Sequence, residues 1–278
     1  AWKRDYFTTL QPQPGKRGRL GLPLALGMYE LAPLWHALFT SLGYEVVFSG
    51  LSSRKLYEKG QFSIPSDTAC YPAKIIHGHI ETLLEAGITK IFYPSLTYNV
   101  DEKASVNHYN CPIVAYYAEL LQGNMEHLQQ ADFWYPYLNI NSKAALRRTL
   151  YAALHRHDVT ITRGEIARAV DAGFAAYADY TAQVRAQGEQ ALAYARAHGK
   201  RIMVLAGRPY HIDPEICHGI DKLAVSLGFV VVSEDSICHL AQPQQTAVLN
   251  QWTFHARLYR AAAFAAADVY AAEAEAIL

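Results

Sequence analysis

Cysteine is scarce in this chain, and the cysteines that are present lie far apart. Four occur among 278 residues, at positions 70, 111, 217 and 238, and none forms a C-x-x-C pair. A small secreted scaffold needs a denser set of disulfides, and the common zinc motifs need closer spacings. The low cysteine content therefore argues against secretion and favours a reducing cytoplasmic location.

Net charge and long apolar runs are missing as well. Lys and Arg together number 25, as do Asp and Glu, so the formal net charge is zero. We therefore expect no nucleic-acid partner, although a local basic pocket for a small anion is compatible with these numbers. No apolar run approaches the ~20 residues that span a bilayer, and residues 1–10 lack the apolar segment of a signal peptide, so we expect no membrane partner. Because the chain begins with Ala1 rather than Met, we expect a processed chain or a segment of a longer protein.

Three common nucleotide-binding and catalytic motifs are also absent. The chain contains no G-x-G-x-x-G, no Walker loop and no G-x-S-x-G. Dinucleotide or ATP binding through the first two motifs is therefore not supported, nor is acyl transfer through the third.

The chain does contain an alternation of short apolar strands and amphipathic helices. Residues 16–26 run from a basic edge into an apolar strand, and apolar residues recur at helical spacing over 31–42. Residues 44–49 are rich in aromatic and β-branched types and are predicted as the next strand. This order predicts a parallel sheet with a right-handed crossover. The same reasoning predicts a helix over 71–86 and strands over 88–95 and 111–117.

The second half repeats this alternation after an Ala-rich stretch. Residues 142–198 have a helical pattern, with Gly164, Gly173 and Gly188 as predicted interruptions. Two strands and a helix follow between residues 200 and 236, and the tail from residue 260 is predicted to be helical. We therefore predict an α/β protein with two Rossmann-like parallel-sheet domains linked by an Ala-rich helical segment. The predicted units are an N-terminal α/β domain over 1–141, a helical connector over 142–199, and a second α/β segment with a helical tail over 200–278.

The stretch SDTACYPAKIIHGHI, residues 66–80, puts Cys70 at the start of a predicted helix. Good capping residues precede it, and Pro72 is tolerated in a first helical turn. Unpaired backbone N–H groups and the helix dipole at such a position stabilise a thiolate, which is the form that binds a metal or attacks an electrophile. Free cysteine is also often a small buried hydrophobe, so both interpretations stay open.

Lys74 and His77 follow on one face of the same helix, three residues apart. Lys74 can offer a positive charge to an anionic cofactor or substrate, although a lysine at such a position is more typically part of a solvated face. We take Lys74 and His77 as candidate cofactor-binding residues. His79 points to the opposite side and is predicted to be structural.

Two further cysteines lie in loops at predicted sheet edges, where ligands of open α/β sheets bind. Cys111 lies in NHYNCPIV and precedes a proline, much as Cys70 does. Cys238 lies in a loop beyond a predicted strand, in the region where it could meet the other two. Cys217 falls inside an amphipathic helix and is predicted to pack.

The stretch AGRPYHIDPE, residues 206–215, is the densest group of polar residues. Gly207 lets the backbone approach a ligand, and Arg208 can bind an anion with two hydrogen bonds. His211 can move a proton, so we take Arg208 and His211 as candidate catalytic residues. Asp213 precedes Pro214 and is predicted to cap the following helix.

Several long stretches resemble the activase-associated domain of the 2-hydroxyacyl-CoA dehydratase group, over roughly residues 19–260. The same fold is similar to the dehydratase subunits and to the double-cubane iron–sulfur reductases. The stretches are RLGLPLALGMYELAPLWHALFTSLGYEVVFS, SSRKLYEKG, IPSDTACYPAKIIHGHI, NHYNCPIV and AGRPYHIDPEICHGI.

The resemblance implies a [4Fe-4S] or double-cubane cluster held by cysteines from separate loops, with Cys70 and Cys111 as metal ligands. It implies electron transfer from an ATP-hydrolysing activator, a CoA thioester or another small molecule as substrate, and a homodimer. The family pattern also puts a further cysteine after the segment resembling WTFHARLYRAA, where this chain has none. Either residues are missing there, or Cys238 substitutes as the third metal ligand, or the cluster has been lost.

Three functional interpretations therefore stand after the sequence alone. The first is an iron–sulfur electron-transfer or reductase component that works with the ATP-dependent activator. The second is a non-catalytic scaffold or interaction domain that has lost the cluster. The third is a zinc-binding or acyl-CoA-binding protein.

Overall fold

Parallel strands organise both halves of the chain in the computed structural model, which describes residues 1–267 and the backbone of residues 274–277. The strands form sheets of four, two and three members, in the orders β2-β1-β3-β5, β4-β6 and β8-β7-β9, and every pair is parallel. Up to residue 138 the elements are α1 (Trp2–Phe7), β1 (Arg19–Leu22), α2 (Met28–Ser41), β2 (Glu45–Phe48), α3 (Arg54–Gly60), α4 (Tyr71–Glu85), β3 (Lys90–Phe92), β4 (Ser95–Leu96), α5 (Pro112–Asn124), α6 (Glu126–Gln129), β5 (Asp132–Trp134) and β6 (Tyr137–Leu138). The remaining elements are α7 (Lys143–Leu154), α8 (Arg163–Ala197), β7 (Ile202–Leu205), α9 (Pro214–Cys217), α10 (Ile220–Ser226), β8 (Val230–Ser233), α11 (Glu234–Ile237), α12 (Thr253–Ala266) and β9 (Ala274–Ile277), with short 3₁₀ turns at Gln61–Ser63, Pro209–Ile212 and Cys238–Leu240.

The α/β class and the parallel sheets confirm that part of the prediction. The β1–α2–β2 unit forms as expected, with Leu22 opposite Phe48 in the parallel register. The sheet in the second half of the chain, β8-β7-β9, has three strands in the described part of the chain, fewer than the six of a complete dinucleotide-binding fold. The structure therefore supports parallel α/β architecture in both halves and not two complete Rossmann-like domains.

The strand predicted over residues 111–117 is wrong, because this segment begins helix α5. Cys111 occupies the N-cap and Pro112 the first helical position, where its fixed φ and missing N–H are tolerated. Val114, Tyr117 and Leu121 then recur at helical spacing and are buried. A short apolar run cannot by itself distinguish a buried strand from the buried face of a helix.

The glycines of the Ala-rich connector do not interrupt its long helix. Helix α8 continues unbroken through Gly164, Gly173 and Gly188 over 35 residues. Gly173 lies so close to α2 that a Cβ there would be 2.8 Å from the Leu34 carbonyl oxygen, and a Cβ at Gly188 would overlap the Ser236 carbonyl of α11. These two glycines allow α8 to pack closely against both halves.

Two apolar clusters follow from this packing. The larger one joins the first sheet to α2, α4, α5, α7 and the first half of α8, and it also includes Tyr210. The smaller one joins Leu192 and Ala195 of α8 to Val204 of β7, Val232 of β8 and Phe264 of α12. Helix α8 therefore contributes to both cores.

Buried charges also tie the halves together. Arg257 of α12 pairs with Glu30 of α2 and lies 2.5 Å from Oε1 of Glu102. The Tyr177 hydroxyl of α8 donates to Glu30 over 2.9 Å. Because buried charges are costly unless paired, this cluster fixes α2, α8 and α12 relative to one another.

The end of the chain differs from the predicted helical tail. Helix α12 ends at Ala266, and residues 274–277 form β9, which pairs with β7. Residues 268–273 and 278 of the predicted tail lie outside the described residues. No helix in the described part of the chain is long and apolar enough to cross a membrane.

Substitution of Gly188 tests the close packing of α8. We expect Gly188→Ala to lower the free energy of unfolding by about 1–3 kcal/mol, because its Cβ would overlap the backbone of Ser236. Gly164→Ala is the control in the same helix, since its Cβ would meet only the end of the Arg168 side chain, 3.6 Å away. That variant should be neutral or gain up to about 1 kcal/mol in urea denaturation. Equal effects of the two variants would contradict the packing role.

Burial of Glu234 of α11 makes the stability of the protein depend on pH. It is 3% exposed, and burial, assisted by the neighbouring Asp235, raises its pKa to about 8, whereas Lys3 and Arg257 lower it. A glutamate in the unfolded chain titrates near pH ~4.3. Between these two values the native state holds a proton that the unfolded chain has released, so this group makes stability fall as pH rises.

We therefore expect Glu234→Gln to lose less stability than the wild type between about pH 5 and about pH 8, because glutamine does not titrate. Urea denaturation at steps across this range measures the difference. Glu58→Gln, at an exposed position of α3, should keep the wild-type slope. Parallel slopes for the wild type and Glu234→Gln would show that Glu234 is ionised in the folded protein.

Candidate functional site

Cys70 and Cys111 have the same local setting. Each is the N-cap of a long helix, α4 or α5, with extended backbone at φ −64°, and a proline lies in the first helical turn. Cys70 is exposed and Cys111 is partly exposed. The first N–H groups of a helix have no acceptor within that helix, so each cysteine lies beside backbone donors.

The two helices are connected by His77. Its Nε2 lies 3.0 Å from the Tyr117 hydroxyl of α5, and its Nδ1 lies 2.8 Å from the Ser63 hydroxyl. The side chain is fully buried, and this burial lowers the pKa of His77 to about 4. The neutral imidazole therefore joins α4 to α5 just behind the cysteines.

Lys74 stabilises residues 67–70, the segment that leads to Cys70, through its contacts with Asp67. Its Nζ donates to the Asp67 carbonyl over 2.9 Å and lies 3.9 Å from Oδ1 of the same residue. Lys74 and His77 thus contact protein groups that position the first cysteine. Their direct contact with a cofactor stays a prediction.

His79 is fully buried between the hydroxyls of Ser49 and Ser52, at 2.7 and 2.9 Å, as expected for a structural histidine.

Arg208 approaches the cysteines from the other half of the chain. It follows β7, and its Nη1 donates to the Tyr210 hydroxyl over 2.8 Å. Burial acts to lower the pKa of Arg208, but the hydrogen bond to Tyr210 and the negative potential of Cys111 and Cys70 raise it above its ordinary value. The two thiols therefore lie within electrostatic range of the same guanidinium.

Three buried tyrosines also lie within electrostatic range of the cysteines: Tyr93, Tyr117 and Tyr210. Burial raises the pKa of Tyr210 to about 12, Arg208 opposes the rise, and Cys111 and Cys70 add to it. Burial likewise raises the pKa of Tyr93, again with contributions from both cysteines, and raises that of Tyr117 to about 12. These phenols remain protonated at neutral pH and lie within electrostatic range of one or both sulfurs. The sequence analysis missed them, and the only local signal was the position of Tyr210 within AGRPYHIDPE.

His211 orders the turn that presents Arg208. Its Nδ1 accepts the Arg208 backbone N–H over 3.2 Å. A Cβ at Gly207 would lie 2.6 Å from that nitrogen, so the turn depends on glycine there. Burial lowers the pKa of His211, and Arg208 lowers it further, which keeps the ring neutral. His211 is therefore suited to positioning Arg208, and its catalytic role stays a prediction.

Cys238 lies in a different environment from Cys70 and Cys111. It packs in the smaller core beside α12, and burial raises the pKa of its thiol to about 11. The charged groups that act on it are Arg257, Glu102, Arg260 and Asp235. In the described part of the chain no group of three or more His, Cys, Asp or Glu side chains is arranged to hold a metal. The three predicted cysteines thus do not form one ligand group in this structure, because β8 leads into α11 and turns Cys238 into the core.

Two further candidate donors, Cys217 and Ser95, are both buried. Cys217 is buried, and its thiol lies 3.5 Å from Oδ1 of Asp221, in agreement with a packing role. The hydroxyl of Ser95 on β4 is buried and has no hydrogen-bond partner among the described residues. Strand β4 packs against α5, the helix that Cys111 caps. Among the described residues, the metal-ligand candidates at the two helix starts are therefore the two thiols, without a group of three or more ligands.

Asp213 connects the Arg208 turn to the first half of the chain. Its Oδ1 accepts the N–H groups of Glu215 and Ile216 over 2.9 and 3.2 Å, which confirms the predicted helix cap. Its Oδ2 accepts the Ser52 N–H over 3.1 Å and the Tyr29 hydroxyl. The carboxylate is fully buried, so four donors from three segments compensate for its burial.

Asp213→Asn tests this connection. The amide keeps one acceptor oxygen but turns an NH₂ group towards the Ser52 N–H or towards the helix cap, so we expect the free energy of unfolding to fall by about 1–3 kcal/mol. Tyr29→Phe is the matched control because it removes one donor and leaves the carboxylate with three; it should lose about 1 kcal/mol. Urea denaturation measures both. A loss no larger for Asp213→Asn than for Tyr29→Phe would contradict the role of the charge.

Comparison with known proteins gives one match. A family model described as "CoA enzyme activase uncharacterised domain" matches residues 19–237, which include both helix-capping cysteines and the Arg208 turn. No curated protein and no solved structure matches the chain. The match agrees with the activase-related resemblance seen in the sequence. Because it spans most of the chain, this protein belongs to the family of CoA enzyme activase uncharacterised domains.

Proposed function

We propose that this chain is an iron–sulfur electron-transfer component related to the 2-hydroxyacyl-CoA dehydratases and reduced by an ATP-hydrolysing activator. The observation that supports this most is that Cys70 and Cys111, each at the N-cap of a helix from a separate segment, lie within electrostatic range of the same Arg208. Thiolates are the usual protein ligands of iron–sulfur clusters. Membership of the activase family supports the activator as partner.

The described residues provide only part of the ligand set that an iron–sulfur cluster needs. Cys70 and Cys111 would hold two iron positions, and a complete set of protein ligands is not present among the described residues. The other positions would be filled by ligands from elsewhere. When bound, the cluster would supply a carrier for single electrons at low potential.

The protein groups around the two thiols have definable roles in this proposal. The N-terminal N–H groups of α4 and α5 and the guanidinium of Arg208 stabilise negative charge on the sulfurs. The hydroxyls of Tyr93 and Tyr210 can donate hydrogen bonds beside them. Hydrogen bonds and charge near the sulfurs are among the features by which a protein sets the reduction potential of such a site.

The second candidate is a scaffold or interaction domain that keeps this fold without a cluster. The separation of Cys238 from the other two cysteines favours it, since no three-ligand group forms in the described residues. The two candidates differ in a measurable property, which is the iron and sulfide content of the protein.

Anaerobic purification with iron and sulfide quantification tests the proposal. We expect bound iron and sulfide and an absorption band near ~400 nm in the wild type. Cys70→Ser and Cys111→Ser should each lose most of the iron while the far-ultraviolet circular dichroism stays unchanged, because both residues are at least partly exposed. Cys217→Ser is the matched control and should retain the wild-type iron content.

Three outcomes would decide against parts of this proposal. Colourless wild-type protein without iron would favour the scaffold candidate. Full iron content in Cys70→Ser would remove that residue as a ligand. Loss of iron in Cys238→Ser with an intact fold would show that the buried cysteine is a ligand after all.

A further inference from the structure

A large cavity opens beside the cysteine helices at the carboxyl ends of β7 and β8. Its volume is about 710 Å³, within the usual range for sites that take small organic ligands. Its walls come from α1, α8, the turn after β7 and the end of β8, and the first residues of α4 form part of its rim. This is the edge of a parallel sheet at which open α/β proteins bind ligands.

The walls are mainly apolar. Leu205 ends β7 and Val232 lies on the neighbouring strand, while Val184 projects from α8 and Trp2 from α1. Burial of a ligand's apolar part against such surfaces contributes about 25 cal/mol for each Å² removed from water. The cavity is therefore suited to a ligand with an apolar body.

The charges on the walls are mostly neutralised by partners. Lys3 lies 2.5 Å from Asp235, and Arg4 pairs with Asp221. Arg208 also lines the cavity, and its guanidinium has a hydrogen bond to the Tyr210 hydroxyl but no carboxylate partner among the described residues. Arg208 is therefore the one Lys or Arg side chain of this lining without a carboxylate partner among the described residues, which favours a ligand with a single negative charge over a polyphosphate.

Glu234 gives a second, independent sign of a ligand. It follows β8, lines the cavity, and is 3% exposed. Its Oε1 is buried without any hydrogen-bond partner. An unsatisfied buried polar atom costs about 1–3 kcal/mol, so a polar group of a bound molecule would remove a cost that the protein alone bears.

We propose that this cavity binds a small organic monocarboxylate with an apolar body, whose carboxylate pairs with Arg208. A ligand that also carries a hydroxyl group would place it against Glu234, one strand away at the same sheet edge, since Leu205 and Ser233 lie opposite each other in the β7–β8 register. Octanoate, which has no hydroxyl group, tests the Arg208 contact and the apolar walls alone. The ligand makes no contact with the thiols of Cys70 and Cys111 in this proposal, and Arg208 is the group that it shares with the proposed function. The inference therefore goes beyond the electron-transfer role and does not depend on bound iron.

Isothermal titration calorimetry with octanoate tests the proposal on the full chain. We expect octanoate to bind with a Kd below about 1 mM, and octan-1-ol and ATP to bind at least about tenfold more weakly. Arg208→Ala should weaken octanoate binding by about tenfold or more, and Arg208→Lys by less, because the charge is kept. Ala206→Phe, which fills the cavity next to β7, should also abolish binding.

Cys70→Ser distinguishes this inference from the proposed function. This variant should lose iron and bind octanoate like the wild type. Absence of octanoate binding in an iron-loaded wild type would overturn the cavity proposal alone. Equal affinity for octanoate in Arg208→Ala, confirmed as folded by circular dichroism, would also overturn it. Tighter binding of octan-1-ol or ATP than of octanoate would overturn the proposed ligand class.

Discussion

The buried carboxylate of Asp213 is the interaction on which the arrangement of the candidate site depends. It caps α9 in the second half of the chain and accepts hydrogen bonds from Ser52 and Tyr29 of the first half. A fully buried charge is tolerated only when its donors are all present, so these segments can adopt few other relative positions. The turn that carries Arg208 immediately precedes Asp213, and its position against the two cysteine helices follows from this constraint.

Side-chain hydrogen bonds also hold the two cysteine helices, α4 and α5, in position. His77 joins α4 to α5 through Tyr117, and the Tyr71 hydroxyl of α4 donates over 2.8 Å to Glu215 of the second half. Helix α8 supports both halves, because Gly173 and Gly188 let it approach α2 and α11 closely. These contacts hold the starts of α4 and α5, where Cys70 is exposed and Cys111 is partly exposed.

Much of the fold followed from sequence patterns, and the failures have identifiable causes. The β1–α2–β2 unit, helix α4 and the Asp213 cap formed as predicted because periodicity and capping residues act locally. The segment after Cys111 was predicted as a strand because a short apolar run looks the same in a buried helix. The glycines of α8 were predicted as interruptions because the sequence alone does not distinguish a glycine needed for close helix packing from a glycine that ends a helix.

The sequence by itself determined that Cys70 and Cys111 each lie near a proline at the start of an element, that Asp213 caps a helix, and that the chain is built from parallel strands and helices. These properties depend on neighbours within a few residues. Only the tertiary structure decided that Cys70 and Cys111 come within electrostatic range of Arg208 while Cys238 is buried in another core. That outcome depends on buried hydrogen bonds, paired charges and glycine contacts between distant segments, and no local pattern specifies which distant partner each group will meet.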